Sequence, residues 1–440
     1  MASSLSPQQK IALIKENLQE VLKPEILEDV IVKQNRPLVV YWGTATTGRP
    51  HCGYFVPMLK LAHFLRAGCT VKILLADIHG FLDNLKAPIE LVQHRAEYYR
   101  HVITSLLKAV NVPIDRLEFV LGRTYQLSSK YTMDLFRLSS VVTEHDAKKA
   151  GAEVIKQVSN PLLSGLIYPL MQALDEEHLE VDAQFGGVDQ RKIFTLAAES
   201  LPKLGYRERA HLMNPMVAGL SGGKMSASEE DSKIDLLDTA EIVKKKLRKA
   251  FAVPKETEGN GLISFVEYVL LPVSALKHDG KPSFVVERRE GEGDPLVYHS
   301  IEALKEDYKA DQVGKLLPSR RHPEKLIDSL IGLQLTPQLL KSGVSAALVT
   351  LLAPIQADFQ ASSIWQEIEK RAYPPPEEKK KTKKPKDKGS RHPGGAAAAA
   401  QPSVNVKPDG TVEGKDKDQV NLGKDVDEAL QKLDVSNSAA

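Results

Sequence analysis

Cysteine is scarce in this chain. Cys52 and Cys69 are the only two among 440 residues, too few for a disulfide framework and in keeping with a reducing compartment, where thiols act as small apolar groups. An excess of charge of either sign is also missing. Lys and Arg number 59 against 57 Asp and Glu, a net charge of +2, so no global positive field marks a nucleic-acid partner, and such a surface has to come from local clusters. No stretch approaches the ~20 consecutive apolar residues of a membrane span, so no membrane partner is expected. Met1 to Gln9 holds no apolar run of the signal type. Ile11 to Leu22 spaces Ile11, Ile14, Leu18 and Leu22 among Lys15, Glu16 and Glu20, which predicts an amphipathic helix. Its acidic residues and lack of Arg count against a mitochondrial presequence. The expected location is the cytoplasm. The P-loop spacing G-x-x-x-x-G-K is absent, and so is any internal repeat.

The 42% of hydrophobic residues suffices for two or three domains. After an N-terminal helical segment (1–35), residues 36–237 alternate strand and helix patterns. Leu38 to Trp42, Val71 to Ala76 and Leu117 to Leu121 read as strands; Tyr54 to Ala67 and Ile89 to Ala109 read as helices. This is the pattern of an α/β, Rossmann-like parallel sheet. Residues 238–372 read as a mainly helical domain with a hairpin or loop near Lys281 to Asp294. From 373 to 440 the chain is Pro- and Lys-rich and poor in aliphatic side chains, which predicts a disordered basic tail.

Three clusters of unusual residues fall where loops leave strands, the usual ligand side of such sheets. Thr44-Ala45-Thr46-Thr47-Gly48-Arg49-Pro50-His51-Cys52-Gly53 joins the first strand to a helix. Hydroxyls such as that of Thr46, main-chain N–H groups and a helix N-terminus suit an anion. Gly48 and Gly53 permit close backbone approach, and His51 can donate to a phosphate oxygen. A plain strand-to-helix turn fits the same residues. The second cluster, 219–228, offers Lys224 as a point charge against charge building on a triphosphate, with Met225, Ser226 and Ser228 beside it; a flexible linker fits equally. In the third, Tyr168, Gln172 and Asp175 are spaced i, i+4 and i+7 along one helix face. A polar stripe in so apolar a segment needs a partner, unless it is the surface edge of an amphipathic helix. Pro169 should kink that helix or mark its start.

Together these pieces resemble a known family. TTGRPHCG resembles the His-x-Gly-His signature of class I aminoacyl-tRNA synthetases, and KMSAS (Lys224 to Ser228) resembles their Lys-Met-Ser-Lys-Ser loop. The runs YWGTATTGRPHCGYF, NPLLSGLIYPLMQALDEE and VDAQFGGVDQRKIF are similar to the eukaryotic and archaeal tyrosyl-tRNA synthetases, over roughly residues 10 to 372. The resemblance implies that Tyr41 and Asp175 take a tyrosine hydroxyl, that Tyr168, Gln172 and Gln190 hold its ammonium, and that His79, Gln126 and Leu74 line the pocket. It implies ATP contacts from Thr46, Gly48, His51, Gly53, Gly187, Asp189 (at the ribose), Lys224, Met225, Ser226 and Ser228, with His51 and Lys224 as the catalytic groups. The implied partners are L-tyrosine, ATP with Mg²⁺, tRNA(Tyr) and a second copy of the chain meeting at 126–160. Residues 238–372 become an anticodon-binding domain, and no metal held by protein side chains is implied.

Three positions depart from the family pattern. Tyr54 replaces the second signature histidine, Ala227 replaces the second lysine, and Leu339 falls where relatives use an aspartate to read the anticodon. Two rival readings stand beside this one: a tryptophanyl-tRNA synthetase, which has no use for a Tyr41–Asp175 pair, and a non-catalytic RNA-binding or signalling protein, which has no need of His51 and Lys224. Gln93-His94-Arg95 stands where some relatives carry a Glu-Leu-Arg signal. The basic run Lys244 to Lys249 fits tRNA phosphates, a nuclear-import signal or a solvated helix face, and Lys379 to Lys386 fits nonspecific RNA attraction or a solubilising tail.

Overall fold

The computed structural model describes residues 5–83, 88–112, 114–155, 162–217, 219, 233–278, 280–288, 293–310 and 335–374. Residues 1–374 form one compact unit. Its centre is a six-stranded sheet of β1 (Glu20–Leu22), β2 (Val39–Thr44), β3 (Thr70–Leu75), β4 (Leu117–Leu121), β5 (Ala183–Gly187) and β6 (Ala210–Asn214). The spatial order is β1-β6-β5-β2-β3-β4. β2 to β6 run parallel, and β1 lies antiparallel to β6. Val40, Trp42, Val71, Ile73, Ala183, Phe185, Ala210 and Leu212 are buried in one continuous core, as the near-continuous apolar runs of a sheet covered on both faces require. The chain order reverses at β2, which pairs with β3 on one side and β5 on the other. Beyond the carboxyl ends of those strands lies the crevice where such folds bind ligands.

The N-terminal segment differs from expectation. The first helix is Pro7–Lys15, started by a Ser6–Gln9 capping box. It does not continue to Leu22, because Asn17 turns left-handed (φ +58°) and the chain extends into β1. Three residues are too few to show a period of two, and their strand geometry comes from the β6 edge. The stretch near Lys281 to Asp294 contains β7 (Phe284–Val286), which pairs antiparallel with β8 (Leu296–Tyr298). Tyr373 belongs to the folded unit rather than to the tail, its ring packed edge-on against Tyr98 at 5.1 Å. The rest of the tail, 375–440, lies outside the described residues.

The Pro337–Ala361 helix is long and apolar enough to cross a membrane by length and composition, which a count of consecutive apolar residues passes over. Here its Leu340, Val344, Leu348, Leu351, Leu352 and Ile355 are buried against the Ile89–Ala109 and Ala240–Lys249 helices and β7. Leu339 sits in its first turn, which Thr336 caps, and packs on the core. Of the run 244–249, Leu247 is buried and Lys246 pairs with Asp238 at 2.7 Å; Lys244, Lys245, Arg248 and Lys249 are exposed.

Candidate active site

The carboxyl ends of β2 and β3 and the Ser164–His178 helix enclose a cavity of about 280 Å³, lined among others by Tyr41, Leu74, His79, Tyr168, Gln172 and Asp175. Asp175 is fully buried. Its Oδ1 accepts hydrogen bonds from the Tyr125 hydroxyl (2.8 Å), Gln126 Nε2 (2.8 Å) and the Tyr131 hydroxyl (2.9 Å). Its Oδ2 has no partner among the described residues, and neither has Nε2 of His79, 3.6 Å away. Burial raises the Asp175 carboxyl to about 7 although three donors oppose the rise, and burial lowers His79 to about 4. His79 is thus neutral. Its Nδ1 faces Gln126 Nε2 at 3.5 Å, a donor, which leaves the ring proton on Nε2. A buried acceptor and a buried donor side by side are costly unless a ligand completes them. One hydroxyl can complete both by donating to Asp175 and accepting from His79.

Tyr41 reaches the same cavity from β2, but its hydroxyl donates to the Gln172 carbonyl at 3.2 Å. Toward a ligand it therefore offers lone pairs. At the other end Gln172 Nε2 donates to Gln190 Oε1 at 2.9 Å; Tyr168, one helical turn before Gln172, meets the His79 ring of the Asp175 end edge-on at 4.8 Å. Gly186 keeps this end open: a Cβ there would lie 2.6 Å from Gln190 Oε1 and 2.9 Å from Phe194 Cζ. Pro169 lies inside the Ser164–His178 helix, which continues past it to His178. The stripe Tyr168, Gln172, Asp175 is buried, not a surface edge.

A second cavity, of about 190 Å³, shares Trp42 with the first and is lined by His51, Gly53, Phe185, Gly186, Gly187 and Asn214 among others. His51 caps the short turn Cys52–Tyr54, its Nδ1 accepting the Gly53 N–H at 3.2 Å. Burial and the nearby Lys233 lower this ring to about 4, so it is neutral with its proton on Nε2, a donor suited to an anionic oxygen. Cys52 N–H donates to the Ile234 carbonyl at 2.9 Å, and His51 bridges Asp235. Ile234 and Asp235 therefore lie beside His51. Lys224, Met225, Ser226 and Ser228 themselves, with Ala227, lie outside the described residues.

Some expected contacts are differently placed. The Thr46 hydroxyl donates inward to the Val92 carbonyl at 3.3 Å, and Gly48 turns its carbonyl to two tyrosine hydroxyls. Asp189 follows β5 in the short turn Val188–Gln190. Tyr54 shares a 3.0 Å hydrogen bond with Thr44 and donates to Tyr99 at 3.4 Å, so at this signature position it ties the loop to the scaffold. Tyr125, Tyr131 and Gln184 were not singled out by sequence. The first two stand 50 and 44 residues from the carboxylate they hold, with no motif around them. Gln184, on β5, lines the first cavity with its buried Oε1 unpartnered; period-two alternation against Phe185 was its only signal.

Comparison with known proteins bears on this geometry. The family model described as tRNA synthetases class I (W and Y) matches residues 33–317. The cytoplasmic tyrosine–tRNA ligase of Saccharomyces cerevisiae is 54% identical over 375 residues, covering 85% of this chain and 90% of that one. That of Danio rerio is 53% identical, over 85% of this chain and 65% of its own length. A solved tyrosyl-tRNA synthetase of Archaeoglobus fulgidus, complexed with L-tyrosine, aligns with a TM-score of 0.68 at 34% identity, over 80% of this chain and 99% of its own.

Proposed function

The chain belongs to the class I tRNA synthetases for tryptophan and tyrosine, and from that premise we propose how its two cavities divide the reaction. The activity is that of a cytoplasmic tyrosine–tRNA ligase. L-Tyrosine and ATP give tyrosyl-adenylate and pyrophosphate, and tyrosine then passes to the 3′-terminal adenosine of tRNA(Tyr). In our reading the phenol enters the 280 Å³ cavity. The observation that carries it is the unpartnered pair Asp175 Oδ2 and His79 Nε2, which one hydroxyl completes. Tyr168, Gln172 and Gln190 face the ammonium, with Leu74, Tyr41 and Gln126 walling or bracing the ring end. Phenylalanine would leave both buried groups unpaired, the effect for which this family is itself the usual illustration. Tryptophan offers an indole N–H and no oxygen for His79.

ATP, as its magnesium complex, takes the neighbouring cavity at His51, Gly53 and Gly187, and from there meets Asp189, beside Gly187, and the Thr46–Gly48 loop. The tyrosine carboxylate, with a pKa near ~3.5, is ionised at neutral pH and needs no general base. Catalysis then lies in aligning it with the α-phosphorus and in offsetting charge on the leaving pyrophosphate. The neutral His51 Nε2–H and Lys224, backed by Ser226 and Ser228 beside Met225, have the chemistry for that. The return of Ile234 and Asp235 to His51 supports bringing the Lys224 segment to the same place. Pyrophosphate exchange with each of the twenty amino acids tests this reading. Tyrosine alone should support exchange; response to tryptophan, or to none, would overturn it.

Residues 238–372 act as the anticodon-binding domain in this reading, and segment 126–160 joins two copies. Leu127, Met133 and Phe136 are more than half exposed on that segment, with Leu163 beside it, a concentration of apolar surface that a monomer would leave in water.

A further inference from the structure

We propose that Tyr373, acting with Tyr99 and Arg95, is a positioning residue for the nucleotide loop, so that the end of the folded chain helps set the ATP half of the site. This rests on the reading that the Thr44–Gly53 loop serves ATP. Between Ala45 and Pro50 that loop has no helix or strand. Among the described residues its only main-chain bond there is Thr47 N–H to the Ala45 carbonyl, at 2.9 Å. Its shape therefore depends on donors from elsewhere. The Gly48 carbonyl accepts from the Tyr99 hydroxyl (2.8 Å) and from the Tyr373 hydroxyl (2.7 Å). The adjacent Thr47 carbonyl accepts from Arg95, whose Nε also donates to the Ala372 carbonyl at 3.1 Å. Arg49, on the loop, pairs with Glu369 of the Ser363–Ala372 helix. The guanidinium groups of Arg49 and Arg95 lie 4.4 and 5.1 Å from the Tyr373 ring centre, within cation–π range.

Two successive carbonyls are thus held from the helical side. In a trans peptide the N–H points opposite its C=O, so fixing Thr47 and Gly48 also fixes the direction of the Gly48 and Arg49 N–H groups. A few residues on, the same backbone delivers His51 and Gly53 to the second cavity. None of the clamping residues lines either cavity; they act through the loop.

The test uses the full chain. Tyr373→Phe keeps the ring and its cationic neighbours and removes one of two donors to Gly48, so the fold should persist with an unchanged melting temperature. In pyrophosphate exchange the KM for ATP should rise about five- to tenfold, the worth of one hydrogen bond, while the dissociation constant for tyrosine, measured without ATP, stays unchanged. Tyr99→Phe with Tyr373→Phe should raise it further. If ATP and tyrosine affinities fall together with the melting temperature, the contact is merely structural and the proposal is wrong. If His51→Ala alters the ATP response and neither tyrosine variant does, the clamp is wrong and the loop assignment stands. If none of the three does, the loop assignment falls and the clamp with it.

Discussion

Asp175 carries a carboxyl lifted by burial to about 7, and a tyrosine hydroxyl donating to its free Oδ2 stabilises the charged form. Binding must therefore lower that pKa and release a proton. Tyrosine affinity is expected to rise with pH through about 7 and then level off, with proton release seen calorimetrically in buffers of different ionisation enthalpy. A flat affinity across that range would remove Asp175 as the phenol acceptor. Tyr131→Phe takes away one donor, so it should move the same curve to higher pH and weaken tyrosine at neutral pH by about tenfold. Folding responds to the same shift. A carboxyl whose pKa is raised on folding lends stability at low pH that is lost as pH rises through about 7. Asp175→Asn should accordingly melt at a higher temperature than the wild type at alkaline pH while failing to activate tyrosine, a trade common at buried functional charges. His51, His63 and His79, held near 4 by burial, act the other way: their stability is present above the ordinary histidine value of 6.5 and is lost as pH falls toward 4.

Among the elements, β5 and the turn after it place Gly186, Gln184 and Gln190 within one short stretch. Gly186→Ala would push a methyl group to 2.6 Å from Gln190 Oε1. That side chain can swing away more easily than Phe194, so the fold should survive while the KM for tyrosine rises by an order of magnitude. A KM unchanged from the wild type would separate Gln190 from the ammonium. The Ser129–Ser139 helix exposes Phe136 at 62% and Met133 at 59%; on the proposed pairing of two copies the wild type should sediment as a dimer and Phe136→Glu as a monomer, and a monomeric wild type would overturn that pairing. What the sequence disclosed at this scale followed from local periodicity. The Ile89–Ala109 helix and the Leu117–Leu121 strand begin and end where their patterns do, because the helix buries a long stripe and the strand alternates Leu117, Phe119 and Leu121, half-buried, against the core. The stripe Tyr168, Gln172, Asp175 was legible for the same reason. β1 was not, since its geometry is imposed by a partner some 190 residues away. Tyr125 and Tyr131 were not, since their meaning lies in a carboxylate on another helix.

For the whole molecule, the sheet and the helical part form one compact unit, because the Ser363–Ala372 helix lies along Ile89–Ala109 and ends in the Tyr373 contact with the Thr44–Gly53 loop. That contact fixes where the chain can be shortened. Residues 375–440 hold Lys379-Lys380-Lys381-Thr382-Lys383-Lys384-Pro385-Lys386, in a protein with little net charge to attract RNA otherwise. Ending the chain after Pro374 removes this run and keeps Tyr373. Tyrosine activation should be unaffected, while tRNA affinity at low salt falls and its dependence on salt becomes shallower by ~0.7 to 0.9 in log–log slope for each phosphate the lysines no longer neutralise. Ending it after Ala372 removes Tyr373 as well, and should add a rise in the KM for ATP to the same drop in tRNA affinity. An unchanged salt slope after the first cut would make the lysine run a solubilising segment without a part in tRNA binding.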